Sequence, residues 1–143
     1  DFELLFPDEY INNITERLNL YNELATITTE KDLEQYEKKL TDRFGKMPKE
    51  AQELITSVRL KWKAKAIGIE KLVLKQGKMI GYFIGDQQSD FYGTHRFQNV
   101  LRFVQLHPNL CRMKEKETKN GLRLLLTFDN VKSIRKALDM LDF

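Results

Sequence analysis

Ala66-Ile67-Gly68-Ile69-Glu70-Lys71-Leu72-Val73-Leu74-Lys75-Gln76-Gly77-Lys78 is where the chain changes its hydrophobic period. Before Gly68 the apolar residues recur every three or four positions, the spacing of an amphipathic helix. After it, Ile69–Lys75 and Lys78–Ile84 are short apolar-rich runs around Gln76-Gly77, which predicts two strands joined by a tight turn. Gly68 is therefore the helix stop, and the chain divides into a helical half, 1–68, and a sheet-containing half, 69–143, of one domain.

Working back from Gly68, three helices are predicted. Pro48 suits the first turn of one with a buried stripe of Ala51, Leu54, Ile55, Val58 and Trp62. The helix before it starts at an N-cap Thr29, carries Leu33, Tyr36, Leu40 and Phe44, and stops at Gly45, where a left-handed residue is wanted. The first is capped by Asp8 and runs to about Ala25, with Ile11, Ile14, Leu18, Tyr21 and Ala25 as its stripe. Working forward, Asp86–Asp90 is a loop, and a helix with Phe97, Leu101 and Val104 ends before Pro108. A second hairpin turns at Asn120-Gly121, its return strand showing Leu122, Leu124, Leu126 and Phe128 on one face. A last helix, capped by Asn130, presents Ile134, Ala137, Leu138 and Leu141. The fold class is α+β: three helices, then a small antiparallel sheet of two hairpins with two further helices.

The 143 residues suit one domain, with 41% hydrophobic and 31% charged residues. The chain begins at Asp1 and not Met, which we read as a segment cut from a longer protein. One cysteine, Cys111, excludes an internal disulfide and fits a reducing compartment; no apolar run reaches the length of a membrane span, and a cytoplasmic location is expected. The net charge of +3 is uneven: residues 1–45 hold 5 Lys+Arg against 11 Asp+Glu (−6), and 46–143 hold 19 against 10 (+9). Such asymmetry steers charged partners, although solvated helix faces also produce it.

No site for chemistry stands out. Lys75-Gln76-Gly77-Lys78-Met79 lacks the spacing and the hydroxyl of a phosphate loop, and no dinucleotide glycine fingerprint occurs. Cys111, His95 and His107 are too few for a metal centre; Cys111 alternates with Leu110 and packs, and the histidines sit at helix ends. No serine lies in a nucleophile elbow, and Asp8/Glu9 and Asp139/Asp142 fall where capping explains them. The sequence therefore predicts no catalytic residue, no metal and no cofactor. Arg59, Lys61, Lys63 and Lys65 flank Trp62, with Lys71 beyond, a combination that can grip a nucleic-acid backbone. Their two-residue steps spread them around a helix, so a solvated face is preferred, with Arg59, Lys63 and Lys65 as the rival nucleic-acid contacts.

Leu40-Thr41-Asp42-Arg43-Phe44-Gly45-Lys46-Met47-Pro48 resembles the Asp-Arg-Phe-Gly-x-(Leu/Met)-Pro signature of the C-terminal domain of bacterial transcription-repair coupling factors (Mfd). Phe6-Pro7-Asp8-Glu9-Tyr10-Ile11 is similar to that family's Pro-x-x-Tyr-Ile segment, Arg17-Leu18-Asn19-Leu20-Tyr21 to its Arg-Leu-x-Leu-Tyr helix, and Ala66-Ile67-Gly68-Ile69 to its Leu-Gly-Ile junction. The likeness is good over about residues 5 to 75 and loose beyond. It implies a non-catalytic module of an ATP-driven, superfamily 2 helicase-like DNA translocase. That parent displaces stalled RNA polymerase and recruits UvrA in excision repair. The module packs on the parent's own UvrB-like N-terminal domain and masks the UvrA site, with no cofactor of its own; DNA is the rival partner. By the same resemblance Lys39, Asp42 and Arg43 are the interdomain contact, and Phe44, Gly45, Pro48, Arg17, Tyr21 and Gly68 are structural. Family members often carry a glutamate where Lys39 stands, which reverses one charge of the contact.

Overall fold

A computed structural model describes residues 4–143, which fall into two compact units, 4–58 and 59–143. The elements are α1 (Ile14–Thr26), α2 (Glu30–Phe44), α3 (Lys49–Ala66), β1 (Ile69–Lys75), β2 (Lys78–Phe83), a 3₁₀ turn (Asp90–Gly93), α4 (His95–Leu106), β3 (Cys111–Thr118), β4 (Gly121–Phe128) and α5 (Ile134–Met140). The α+β order of the sequence reading holds, and the sheet is four-stranded and antiparallel, in the order β1-β2-β4-β3.

Unit 4–58 is built on α1 and α2. In α2 the Thr29 hydroxyl accepts from the Asp32 amide at 3.2 Å, the acids Glu30 and Asp32 lie in the positive first turn, and Gly45 closes the helix at φ 88°. Leu33, Tyr36 and Leu40 are buried as their spacing predicts, each worth about 1.5–3 kcal/mol of apolar burial. The α1 prediction needs correcting. The helix starts at Ile14, not after Asp8, because the Asn13 side chain takes the Glu16 amide as N-cap, while Tyr10 and Ile11 turn back onto the Pro7 carbonyl. Its buried residues are Leu20 and Leu24; Ile14 and Leu18 are 64% and 56% exposed. Both stripes obey the helical period, and periodicity alone could not choose between them. Phe6, Ile11, Ala51 and Ile55 complete this core.

Unit 59–143 packs the end of α3, α4 and α5 on one face of the sheet. Its core holds Leu60, Ala64, Ile69, Met79, Phe83, Val100, Leu126, Phe128, Ile134 and Leu141. On α3 the buried positions near the C-terminus are Leu60 and Ala64, while Trp62, expected inside, is half-buried. On α4 Val100 is buried and Leu101, expected in the core, is 37% exposed. The type I′ pattern of two positive φ values occurs at Gln76 (53°) and Gly77 (75°). It does not occur at Asn120-Gly121: Lys119 and Asn120 bridge the paired Thr118 and Gly121, and only Gly121 has positive φ. Likewise Ser133, not Asn130, caps α5 by accepting from the Lys136 amide at 3.0 Å; Asn130 is left-handed at φ 60°. In β4 Leu126 and Phe128 are buried as predicted, but Leu122 is exposed, and Leu125 and Thr127 on the opposite face are buried too.

Candidate interdomain interface

The signature residues around Gly45 are held by the segment before α1. The Tyr10 hydroxyl donates to the Gly45 carbonyl at 2.8 Å, and its ring lies 5.8 Å from that of Phe44. Burial pushes the Tyr10 phenol up, so it stays a donor. Arg17, 16% exposed, donates to the Ile11 carbonyl at 2.6 Å and pairs with Asp8 at 3.0 Å. Tyr21 accepts from the Phe6 amide at 2.8 Å and stacks on the Phe6 ring at 5.1 Å. Three of the four sequence motifs thus meet in one bracket, in which Arg17, Tyr21, Phe44 and Gly45 make these contacts. Pro48 stands just before α3, its carbonyl accepting from Gln52. Gly68 is in the other unit, at φ 86°, with the Phe91 ring where a Cβ would sit.

The three residues assigned to the partner contact lie on the exposed side of α2, and the structure distinguishes them. Lys39 is tied within the unit to Glu23 of α1, at 2.6 Å to both carboxylate oxygens. Arg43 forms an ion pair with Glu16 of α1, whose enclosed Oε1 has no aligned hydrogen bond among the described residues. Lys39 and Arg43 are one turn apart, and Glu16 and Glu23 two turns apart on α1, so the two helices are clipped twice. The sequence reading missed Glu16 and Glu23; their seven-residue spacing, which keeps them on one face of α1, was the available signal. Beneath the clip the Tyr36 hydroxyl donates to the Leu20 carbonyl at 2.7 Å, and burial first, then Glu23, holds its phenol well above the tyrosine range.

Asp42 differs from both. It is exposed and has no ion-pair partner among the described residues. It lines an open depression of about 450 Å³ with Gln35, Lys38, Lys39 and Arg43. A second depression of about 500 Å³ is lined by Asn13, Thr15, Glu16, Asn19, Glu23 and others, so Lys39 and Arg43 form the ridge between two hollows. The Asp42 carboxylate is open to solvent beside the cations Lys38, Lys39 and Arg43, of which Lys39 and Arg43 are already met by acids of α1.

The rival contacts Arg59, Lys63 and Lys65 lie along the second half of α3. Lys63 pairs with Asp142 at 2.6 Å, holding that carboxyl below the usual range, Lys65 is exposed, and Arg59 is half-buried and engaged. Among the described residues no group of three His, Cys, Asp or Glu side chains could hold a metal, and no helix is long and apolar enough to cross a membrane. Cys111 is buried, and burial pushes its thiol up.

Residues 1–94 match the family model of the TRCF domain. The transcription-repair-coupling factor of Buchnera aphidicola (Acyrthosiphon pisum) is 30% identical over 126 residues, 88% of this chain and 14% of that protein. That of Escherichia coli is 40% identical over 68 residues, 48% of this chain and 6% of that protein. The chain thus spans under a fifth of these relatives. A crystal structure of the C-terminal domain of a transcription-repair coupling factor superposes with TM-score 0.68 at 18% identity, covering 99% of this chain and 83% of that one. This chain belongs to the TRCF domain family of the transcription-repair coupling factors.

Proposed function

We propose that this chain is the non-catalytic, autoinhibitory module of a transcription-repair coupling factor, a cytoplasmic ATP-driven DNA translocase that displaces stalled RNA polymerase and recruits UvrA. In this reading it packs on the UvrB-like domain of the same protein and covers the surface that UvrA uses. The observation that carries the contact is Asp42: an exposed carboxylate without an ion-pair partner among the described residues, set between two cations already neutralised by α1. An arginine of the UvrB-like domain entering the hollow beside it forms a charge-assisted, bidentate contact. Lys39 and Arg43 shape the hollow, and their ion pairs with Glu23 and Glu16 reduce the repulsion that an incoming arginine would meet there.

A clamp of this kind needs only modest strength. Tethering makes the contact intramolecular, so millimolar effective concentration keeps a weak interface closed until the parent changes shape. The test is titration of this chain against the UvrB-like domain of its coupling factor. Wild type binds, and Asp42→Ala binds about tenfold more weakly, the loss of one charged contact at the low end of such pairs. A folded wild type that fails to bind at the highest soluble concentration removes the clamp.

A further inference from the structure

Strand alternation sorts the charges of the sheet onto opposite faces. In β3, Arg112, Lys114 and Lys116 alternate with Met113, Glu115 and Glu117, so the bases point one way and the acids the other. The pairing register places Arg112 opposite Thr127, Lys114 opposite Leu125 and Lys116 opposite Arg123; beyond them Ile80 lies opposite Thr127 and Tyr82 opposite Leu125. On β1, Lys71 opposes Tyr82, Val73 opposes Ile80, and Lys75 opposes Lys78. All of these side chains share the face away from the core of this unit, to which Val73, Ile80, Leu125 and Thr127 do not belong.

This face is strongly cationic after its own acids are counted. Asp129 pairs with Arg112 and also attracts the nearby Lys78 and Lys114, and Glu70 pairs with Arg123 at 3.1 Å. Lys71, Lys75, Lys78, Lys114 and Lys116 remain, all exposed and without a carboxylate ion pair among the described residues. Two cross-strand pairs, Lys75 with Lys78 and Lys116 with Arg123, set like charges directly opposite each other. Such pairs disfavour the sheet that carries them. Strand spacings of roughly 4.8 Å across and 6.7 Å between same-face neighbours make the lysines a grid of point charges.

We propose that this sheet face binds the phosphate backbone of duplex nucleic acid, without reading sequence. Lysines are depleted from protein–protein interfaces, which argues against an acidic protein as the occupant. A single strand held by stacking needs a bare aromatic face. Tyr82 is half-buried, with Lys71 Nζ 5.2 Å and the Arg123 guanidinium 5.8 Å from its ring centre, so it holds cations in place instead of offering a ring to a base. This surface is distinct from Arg59, Lys63 and Lys65 of α3.

The test is fluorescence anisotropy of a labelled mixed-sequence duplex titrated with the whole chain, at several salt concentrations. If four lysines each neutralise a phosphate, the log–log salt slope is about −3.6, and raising salt from 50 to 200 mM weakens binding roughly 150-fold. Lys78→Gln/Lys114→Gln makes the slope shallower by about 1.8 and weakens binding more than tenfold, whereas Lys61→Gln/Lys65→Gln, which removes equal charge from α3, changes it less than threefold. Lys78→Arg/Lys114→Arg keeps the wild-type affinity, which separates charge from any effect on folding. The proposal is overturned by no binding at 50 mM salt, by equal losses in the two Gln pairs, or by loss in the Arg pair. Tighter binding of the matching single strand, or of polyglutamate, overturns it as well.

Discussion

Gly68 and Gly45 have nearly the same left-handed φ, 86° and 88°, but different surroundings. At Gly45 an added Cβ meets nothing within 4 Å, so Gly45→Ala carries only the conformational cost; at ψ −168° this is backbone that is essentially reserved for glycine, and the cost is about 2 kcal/mol. At Gly68 it would fall 2.2 Å from Phe91, a ring wedged edge-on against Tyr92 and Phe97, so Gly68→Ala should cost about 3 kcal/mol. Urea midpoints of the two variants check this; equal losses would contradict it. That Gly68 ends a helix was legible in the sequence, but the approach of Phe91 was not, because a contact across 23 positions leaves no local pattern. Tyr36 permits a second test. Its phenol and those of Tyr10 and Tyr92 are raised, chiefly by burial, so each ionises more readily in the unfolded chain. Their contribution is complete below the ordinary tyrosine value of 10.0 and is lost as pH rises beyond it. Tyr36→Phe should lose about 1 kcal/mol at neutral pH, from the bond to Leu20, and show a shallower fall in stability at alkaline pH. Unchanged alkaline behaviour would contradict the assignment.

At the scale of elements, stop and start residues were readable wherever one side chain settles the matter. Thr29 and Gly45 bound α2 as predicted, since their roles depend on neighbours three or four positions away. Asp8 and Asn13 compete to open α1, as Asn130 and Ser133 do for α5, and in both cases the later residue wins by taking the amide at N3. The two turns show the same limit: Asn120-Gly121 carries the preferred residues, yet Gln76-Gly77 carries the two positive φ values. Gln is a poor left-handed residue, so Gln76→Asn should raise stability by about 0.5 kcal/mol, seen as a rise in Tm. The α1–α2 clip is a matter of exposed ion pairs, whose worth is about 0–1 kcal/mol. Arg43→Ala, with 62% of that side chain exposed, should therefore leave the urea midpoint nearly unchanged. A large loss would show that Arg43 is scaffold and unsuitable as a probe of binding.

At the scale of the whole molecule, the α+β class and the element order followed from the change of period at Gly68, and the family followed from motifs that the bracket around Tyr10 and Gly45 brings together. The candidate contact was half legible. Asp42, Lys39 and Arg43 were picked out by resemblance, but only their positions against Glu16 and Glu23 reveal that Asp42 alone lacks an ion pair among the described residues. The cationic sheet face was written in the alternation of β3 and became visible once register joined it to β1 and β2. Autoinhibition through Asp42 is tested most directly by the affinity of UvrA for an intact coupling factor carrying this chain, wild type against Asp42→Arg, without nucleotide. If the clamp masks the UvrA site, charge reversal opens it and UvrA binds at least tenfold more tightly to the variant. Equal affinity, with both proteins folded, would contradict the account.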